Sequence, residues 1–302
     1  MNMSYKVIWF DDEYKDRKRI LESAHLKGVK LIGFSNAEEG IAELEANIEA
    51  YDAALVDGLF YETESENGTP TEDAAMGKVA KALGRLEYKK SLPWFILSGQ
   101  ASFTKKKNRF ALAFKEGKVY DKLGGDAEYE SLWNKLIEEA DKLPETQARR
   151  QNPELFDIFQ KGYLSGEVEE QILDLLIKPL PENTNDLKGL LTSIRSIHES
   201  CMIKLQAIDV LPDGLSFHRK NKHLSGNVRK IGDDYRPTTI VYQTTDIQNL
   251  QSWLYFTCGT YIHNLEQQQY GGYMISNYAV ESLRSGLFEI LLWFNKTFEE
   301  NK

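Results

Sequence analysis

Four short apolar runs in the first half of the chain each end at a polar side chain. The runs are KVIWF, YDAALV, PWFIL and KVYD, and the residues that follow them are Asp11 and Asp12, Asp57, Ser98 and Lys122. Stretches with helical spacing separate the runs, and this alternation predicts a parallel sheet with helices on both faces. Ligands bind such sheets beyond the carboxyl ends of the strands, so we expect these polar side chains to meet in one crevice.

This combination of side chains is suited to phosphoryl transfer onto an aspartate. A carboxylate accepts a phosphoryl group only when the charge of the incoming dianion is neutralised. Mg²⁺ neutralises it through oxygen ligands and retained water molecules, and Asp12 and Asp57 each offer one carboxylate oxygen. Lys122 is the cation that faces the acyl phosphate, and the Ser98 hydroxyl can hydrogen-bond a phosphoryl oxygen.

Two further groups complete the predicted metal site. The backbone carbonyl of Leu59 is the third predicted ligand, and Asp11 is expected to hold water molecules on the ion. Taken singly, an acidic pair at a strand end is often a helix cap and a serine there is often a turn residue. Their joint occurrence at four strand ends favours a functional site.

Residues 1 to about 143 resemble the receiver domain of response regulators in two-component signalling. The similarity rests on four motifs in the family's order: WFDDE at 9–13, LVDG at 55–58, ILSG at 96–99 and YDK at 120–122. The resemblance implies a flavodoxin-like α/β fold with sheet order 2-1-3-4-5 and dependence on Mg²⁺. It also implies that a sensor histidine kinase transfers a phosphoryl group to Asp57. Leu123 departs from the family, which usually has proline after the site lysine.

The 302 residues allow two domains. Near the middle of the chain, the alternation of strand and helix patterns gives way to long helical patterns. We predict a receiver domain at 1–143, a linker at 144–153 and an α-helical output domain at 154–302. The first part includes a long acidic loop at 61–75 and a helix at 104–117. Long helical patterns in the second part lie at about 154–178, 185–209, 246–268 and 275–298.

Composition limits the location and partners of the protein. No apolar run is long enough for a membrane span and no basic-then-apolar leader is present, so we expect a cytoplasmic protein without membrane contact. Cys201 and Cys258 lie in apolar helical contexts without metal-ligand spacing, which predicts buried, reduced thiols. The formal net charge of −9 disfavours a general DNA-binding protein but leaves a local basic patch possible.

Two segments of the second half, 255–267 and 278–294, weakly resemble the final two helices of HEPN-like helical domains. That family includes ribonucleases, whose active members carry an arginine four to six residues before a histidine. Relative to His263, those positions hold Thr257, Cys258 and Gly259. The resemblance therefore implies a binding or dimerising domain more than a nuclease, and His263 is more typical of a core or interface position.

A basic run at 217–230 is the remaining candidate contact surface. It contains five cationic residues and no acid, namely Arg219, Lys220, Lys222, Arg229 and Lys230. Such a run is suited to RNA or an acidic partner, and a solvated basic loop is the alternative explanation.

The leading hypothesis is an atypical response regulator in which phosphorylation of Asp57 controls the helical half by dimerisation or partner binding. Its expected partners are a sensor histidine kinase and a second copy of the chain. No turnover is expected beyond phosphoryl acceptance and autodephosphorylation. The alternative is an RNA-binding, HEPN-like stress or defence protein with a regulatory or pseudo-receiver module, and a third option is a scaffold that is not phosphorylated.

Overall fold

The computed structural model of the protein describes residues 4–64, 74–100, 118–227, 229–231, 234–236, 240–264 and 275–302. The chain divides into two compact units, Met1–Arg150 and Gln151–Lys302. The helix predicted at 104–117 and most of the acidic loop predicted at 61–75 lie outside the described residues.

A five-stranded, all-parallel sheet forms the centre of the first unit. Its strands are β1 (Tyr5–Phe10), β2 (Val29–Phe34), β3 (Ala53–Val56), β4 (Trp94–Ser98) and β5 (Val119–Asp121). Their order in the sheet is β2-β1-β3-β4-β5. Apolar runs of this kind form strands because aliphatic and aromatic side chains pack well on both faces of a covered sheet. The predicted fold class and strand order are confirmed.

Helices cover both faces of this sheet. They are α1 (Lys18–Leu26), α2 (Ala37–Asn47), α3 (Ala74–Leu86) and α4 (Asp126–Ala140), and a further helix, α5 (Pro144–Gln151), follows them in the chain. On one face, α1 and α4 share a core with Val7 and Trp9 of β1. On the other face, α2 and α3 share a core with Ile8 and Phe10. Alternate residues of β1 thus enter two separate cores, as the pleat of a strand requires.

The segment predicted as a linker, 144–153, is instead helical over most of its length. Helix α5 occupies 144–151 and belongs to the first unit. Pro144 begins this helix rather than breaking the chain, since the first turn of a helix needs no amide hydrogen from that position. The Thr146 hydroxyl donates to Asp52 Oδ1 at 2.7 Å, and both residues are buried. The polar residues that suggested a linker therefore attach a helix to the first unit.

The second unit is helical apart from one short hairpin among its described residues. Its elements are α6 (Pro153–Gln160), α7 (Gly166–Ile177), α8 (Thr184–Ala207), α9 (Phe217–Leu224), β6 (Arg229–Ile231), β7 (Asp234–Arg236), α10 (Thr245–Asn264) and α11 (Asn277–Asn301). Strands β6 and β7 pair antiparallel. The predicted helical character of the second half is confirmed.

The long helical pattern predicted at 154–178 is divided into α6 and α7 by a glycine. Gly162 has a φ of 73°, in the left-handed region. Its amide donates to the Phe159 carbonyl oxygen at 3.0 Å, and the Tyr163 amide donates to the Ile158 carbonyl oxygen at 2.9 Å. This arrangement ends a helix by satisfying its last carbonyl groups, and it favours glycine because glycine has no Cβ.

Helices α8, α10 and α11 contribute the core of the second unit, and both cysteines lie within it. Cys201 and Cys258 are buried and unpaired, as the sequence predicts. Burial raises the pKa of both thiols, that of Cys258 to about 12, so neither is reactive at neutral pH. Across the described parts of the chain, no helix combines the length and apolar character needed to cross a membrane.

Candidate functional site

The polar residues predicted to meet in one crevice lie at the carboxyl edge of the sheet. Asp11 follows β1, Asp57 follows β3 and Lys122 follows β5, while Ser98 is the last residue of β4. Because all five strands are parallel, these four positions share one edge. All four side chains are buried.

The Lys122 ammonium lies between two carboxylates. Its Nζ is 2.7 Å from Asp11 Oδ2, and it donates a hydrogen bond to Asp57 Oδ2. The other oxygens of both carboxylates accept backbone amides: Asp57 Oδ1 from Gly58 at 2.6 Å and Asp11 Oδ1 from Glu13 at 3.0 Å. The loops after β1 and β3 therefore orient both carboxylates toward the lysine.

Burial controls the protonation of this group of residues. It raises the pKa of Asp57 to about 6, an effect that Lys122 opposes and Asp11 reinforces. Burial of Lys122 on its own disfavours the ammonium, but the carboxylates of Asp57 and Asp11 outweigh it and the lysine pKa is raised. At neutral pH Lys122 is therefore charged and Asp57 is mostly ionised.

Asp12 completes a cluster of three carboxylates that can hold a metal ion. One ligand oxygen from each of Asp11, Asp12 and Asp57 lies within 4.8 Å of the others. Asp12 is half-buried and forms no ion pair with a described residue, and burial followed by the nearby Asp11 charge raises its pKa. Three carboxylates against the single ammonium of Lys122 leave an excess of negative charge within the described part of the site. A divalent cation would neutralise that excess.

Ser98 and Gly99 line the same edge next to the lysine. The Ser98 hydroxyl oxygen accepts the Gln100 amide at 3.2 Å, so the hydroxyl hydrogen is left to be donated elsewhere. A Cβ on Gly99 would lie 3.9 Å from Lys122 Cβ, an ordinary packing distance, so alanine would fit there. The Lys122 amide donates to the Ser98 carbonyl oxygen at 3.1 Å, which links the ends of β4 and β5.

Leu59 lies two residues beyond Asp57, where the chain leaves β3, and its side chain is half-buried. The assignment of its carbonyl oxygen as a metal ligand stays a prediction.

Helix α4 supports the lysine loop, and our sequence reasoning did not identify this contact. The Tyr129 hydroxyl donates to the Lys122 carbonyl oxygen at 2.5 Å, and Glu128 Oε1 accepts the Asp121 amide at 3.1 Å. A Cβ at Gly124 would lie 2.7 Å from Glu128 Cβ, so the tight approach of loop and helix requires glycine. Gly124 and Gly125, which follow Leu123 in the sequence, were the signal for it.

The predicted basic residues of the second half are only partly described. Arg219 and Lys222 are exposed on α9, and Lys220 is half-buried with its ammonium donating to Gln206 Oε1 at 3.2 Å. Arg229 and Lys230 belong to β6, but their side chains lie outside the described residues. The same holds for the His263 side chain near the end of α10. A role for these residues in RNA binding stays a prediction.

Comparison with known proteins identified no relative of this chain. No model of a protein family matches the sequence, and a search of curated proteins found no match.

Proposed function

We propose that the chain is an atypical response regulator that accepts a phosphoryl group on Asp57 and passes the signal to its helical half. The observation that supports this proposal is the buried Lys122 ammonium paired with Asp57 and Asp11, beside Asp12, at the carboxyl edge of a parallel sheet. The four sequence motifs point to the same chemistry. A kinase histidine is the proposed donor, and a second copy of the chain is a proposed partner.

Asp57 is the proposed nucleophile. One of its carboxylate oxygens attacks the phosphorus atom of a phosphohistidine; the new P–O bond forms as the P–N bond breaks, and the imidazole nitrogen retains the electron pair of the broken bond. Lys122 then exchanges part of its contact with Asp57 for a phosphoryl oxygen, which preserves its charge pairing. The Ser98 hydroxyl donates to another phosphoryl oxygen.

The cation that fits the carboxylate cluster best is Mg²⁺, which prefers oxygen ligands and keeps several water molecules. Asp12 and Asp57 would supply ligand oxygens directly, and Asp11 would orient coordinated water while it remains paired with Lys122. When bound, Mg²⁺ supplies neutralisation of the phosphoryl charge. The chain supplies the nucleophile, the lysine and the hydroxyl.

Incubation with Mg²⁺ and a small acyl phosphate is expected to add one phosphoryl group to the wild-type protein and none to Asp57→Asn. Asp57 accepts the Gly58 amide and faces Lys122, as Asp11 does with the Glu13 amide. Of the two, Asp57 is the residue that the LVDG motif places at the proposed acceptor position. Intact-mass spectrometry measures the addition, with the exposed Asp16→Asn as the matched control. An unmodified wild-type protein, under conditions that modify a known receiver, would contradict the proposal. Equal modification of Asp57→Asn would also contradict it.

Mg²⁺ is expected to raise the unfolding temperature of the wild-type protein, and Asp12→Asn should abolish most of that rise. A ligand that binds only the folded state stabilises it by RT ln(1 + [L]/Kd), about 2.7 kcal/mol at a hundred times Kd. Asp12 is the clustered carboxylate without a cation partner among the described residues, so it gains most from the ion. Thermal unfolding with and without Mg²⁺ measures the effect, and Asp16→Asn should respond as the wild type does. An equal rise in Asp12→Asn would exclude Asp12 as a ligand.

A further inference from the structure

An open groove runs along the second unit between α10 and α11. It has a volume of about 530 Å³. Helix α10 contributes Leu250 and Trp253, and α11 contributes Tyr278, Glu281, Ser285 and Glu289 along one face. Trp253 and Tyr278 are 38% and 83% exposed, which is unusual for large aromatic side chains that serve only as core.

Gly286 forms the floor of the groove where the two helices cross. It is buried, and a Cβ at this position would lie 3.5 Å from Leu250 Cδ2 and 3.8 Å from Trp253 Cζ3. Those are ordinary contact distances, so packing of the helices does not by itself demand glycine. A side chain at this position would instead begin to fill the groove.

The groove combines aromatic rings with two carboxylates, those of Glu281 and Glu289. Neither Glu281 nor Glu289 forms an ion pair with a described residue, and both are exposed. Arg284 interacts electrostatically with Glu281, but its guanidinium donates to the Leu175 carbonyl oxygen. The groove therefore presents negative charge next to an indole ring and a phenol ring.

We propose that this groove binds a lysine- or arginine-bearing segment of a partner protein. A cation is attracted to the face of an aromatic ring, most strongly to that of tryptophan, and the two carboxylates attract it further. The formal net charge of −9 favours approach of a basic partner in general. The same two carboxylates repel a nucleic acid, which disfavours RNA as the occupant.

The spacing of the carboxylates restricts the partner segment. Glu281 and Glu289 are eight residues apart on one helix, a rise of about 12 Å at 1.5 Å per residue. Two basic residues match this distance if they are eight apart on a helix, or about four apart in an extended segment at roughly 3.3 Å per residue. This inference does not depend on phosphorylation of Asp57.

A random dodecapeptide library displayed on phage, selected against the full-length protein, tests the proposal. We expect enrichment of peptides in which two Lys or Arg residues lie eight positions apart, as on a helix, or about four positions apart, as in an extended segment. A selected peptide should bind the Trp253→Ala variant about thirtyfold more weakly, as expected when an aromatic side chain that the bound peptide covers is removed. Glu281→Gln/Glu289→Gln should weaken binding about fivefold, and more so at low salt. Fluorescence anisotropy measures each affinity.

Glu300→Gln is the matched control, since Glu300 is an exposed acid on the same helix beyond the groove. It should bind the peptide as the wild type does, whereas equal weakening would indicate attraction to overall charge and overturn the proposal. Selection of no peptides, or of acidic or uncharged ones, would also overturn it. So would a dimer that Trp253→Ala converts to a monomer, because the groove would then bind a second copy. The glutamine substitutions are on the surface, so the test survives if Trp253→Ala fails to fold.

Discussion

Replacing Lys122 by methionine is expected to lower the free energy of unfolding of the first unit by about 3–5 kcal/mol at neutral pH without divalent cations. The lysine is buried between Asp11 and Asp57, and the variant leaves both carboxylates without their cation. Asp57 limits the loss by taking up a proton. Burial already raises its pKa to about 6, and removal of the ammonium that opposes this effect raises it further.

Urea unfolding monitored by tryptophan fluorescence measures this loss, since Trp9 and Trp133 are fully buried in the first unit. The data require a fit with separate transitions if the two units unfold independently. Lys142→Met removes a lysine from an exposed ion pair and should change stability little. Adding Asp57→Asn to the Lys122 variant should recover part of the loss, because one of the two unpaired carboxylates is then gone. A variant as stable as the wild type would show that the buried pair contributes nothing.

The position of each site residue follows from the chain's local pattern, but its partner does not. A strand followed by Asp11, Asp57 or Lys122 places that residue at the carboxyl edge of any parallel sheet, so the sequence predicts the cluster once the strands are recognised. Which residues of the cluster pair with each other depends on distances between strands that are far apart in sequence. That Lys122 contacts both Asp11 and Asp57, while Asp12 has no cation partner in the described structure, required the three-dimensional arrangement.

Prediction from the local sequence failed at two segments, where tertiary packing or a single glycine determines the secondary structure. The polar segment 144–153 has the composition of a linker, yet a hydrogen bond from Thr146 to the buried Asp52 helps to fix it as a helix on the first unit. The apolar period of 154–178 continues through Gly162, whose left-handed conformation ends one helix before the next begins. In the first case the polar composition was interpreted wrongly as a linker. In the second case the helical pattern was interpreted correctly, but the break between two helices was missed.

The second unit contains a buried polar network that the sequence did not predict. His198 of α8 is fully buried, and its Nε2 lies 3.3 Å from Gln251 Oε1 of α10. Gln251 Nε2 in turn donates to Gln243 Oε1 at 2.7 Å, which orients the Gln251 oxygen toward the imidazole. The neutral ring therefore carries its hydrogen on Nε2, and Nδ1 has no hydrogen-bond partner in the described structure. Protonation of the ring would add a hydrogen to Nδ1, and no described group accepts a hydrogen bond from that atom.

Acidification from pH 6.5 to pH 4 is consequently expected to cost the second unit about 3 kcal/mol of stability through His198 alone. Burial lowers the pKa of His198 to about 4, an effect that the Gln251 contact and Glu199 oppose and that Lys220 and Arg195 reinforce. In the unfolded chain the pKa returns to about 6.5, so between these values the unfolded state binds the extra proton and is favoured. The contribution of neutral His198 is complete above pH 6.5 and is lost as the pH falls toward 4.

His198→Gln should reduce this acid-induced loss, because the glutamine amide can still donate to Gln251 and does not titrate. Urea unfolding of both proteins at several pH values between 7.5 and 4 measures the difference, with His218→Gln as control because His218 is exposed on α9. The control should lose stability with acid as the wild type does, since an exposed imidazole is solvated in both states. Parallel pH profiles for the wild type and His198→Gln would show that other groups dominate acid unfolding. A flatter profile confined to His198→Gln would establish that the neutral, buried imidazole holds α8 and α10 together.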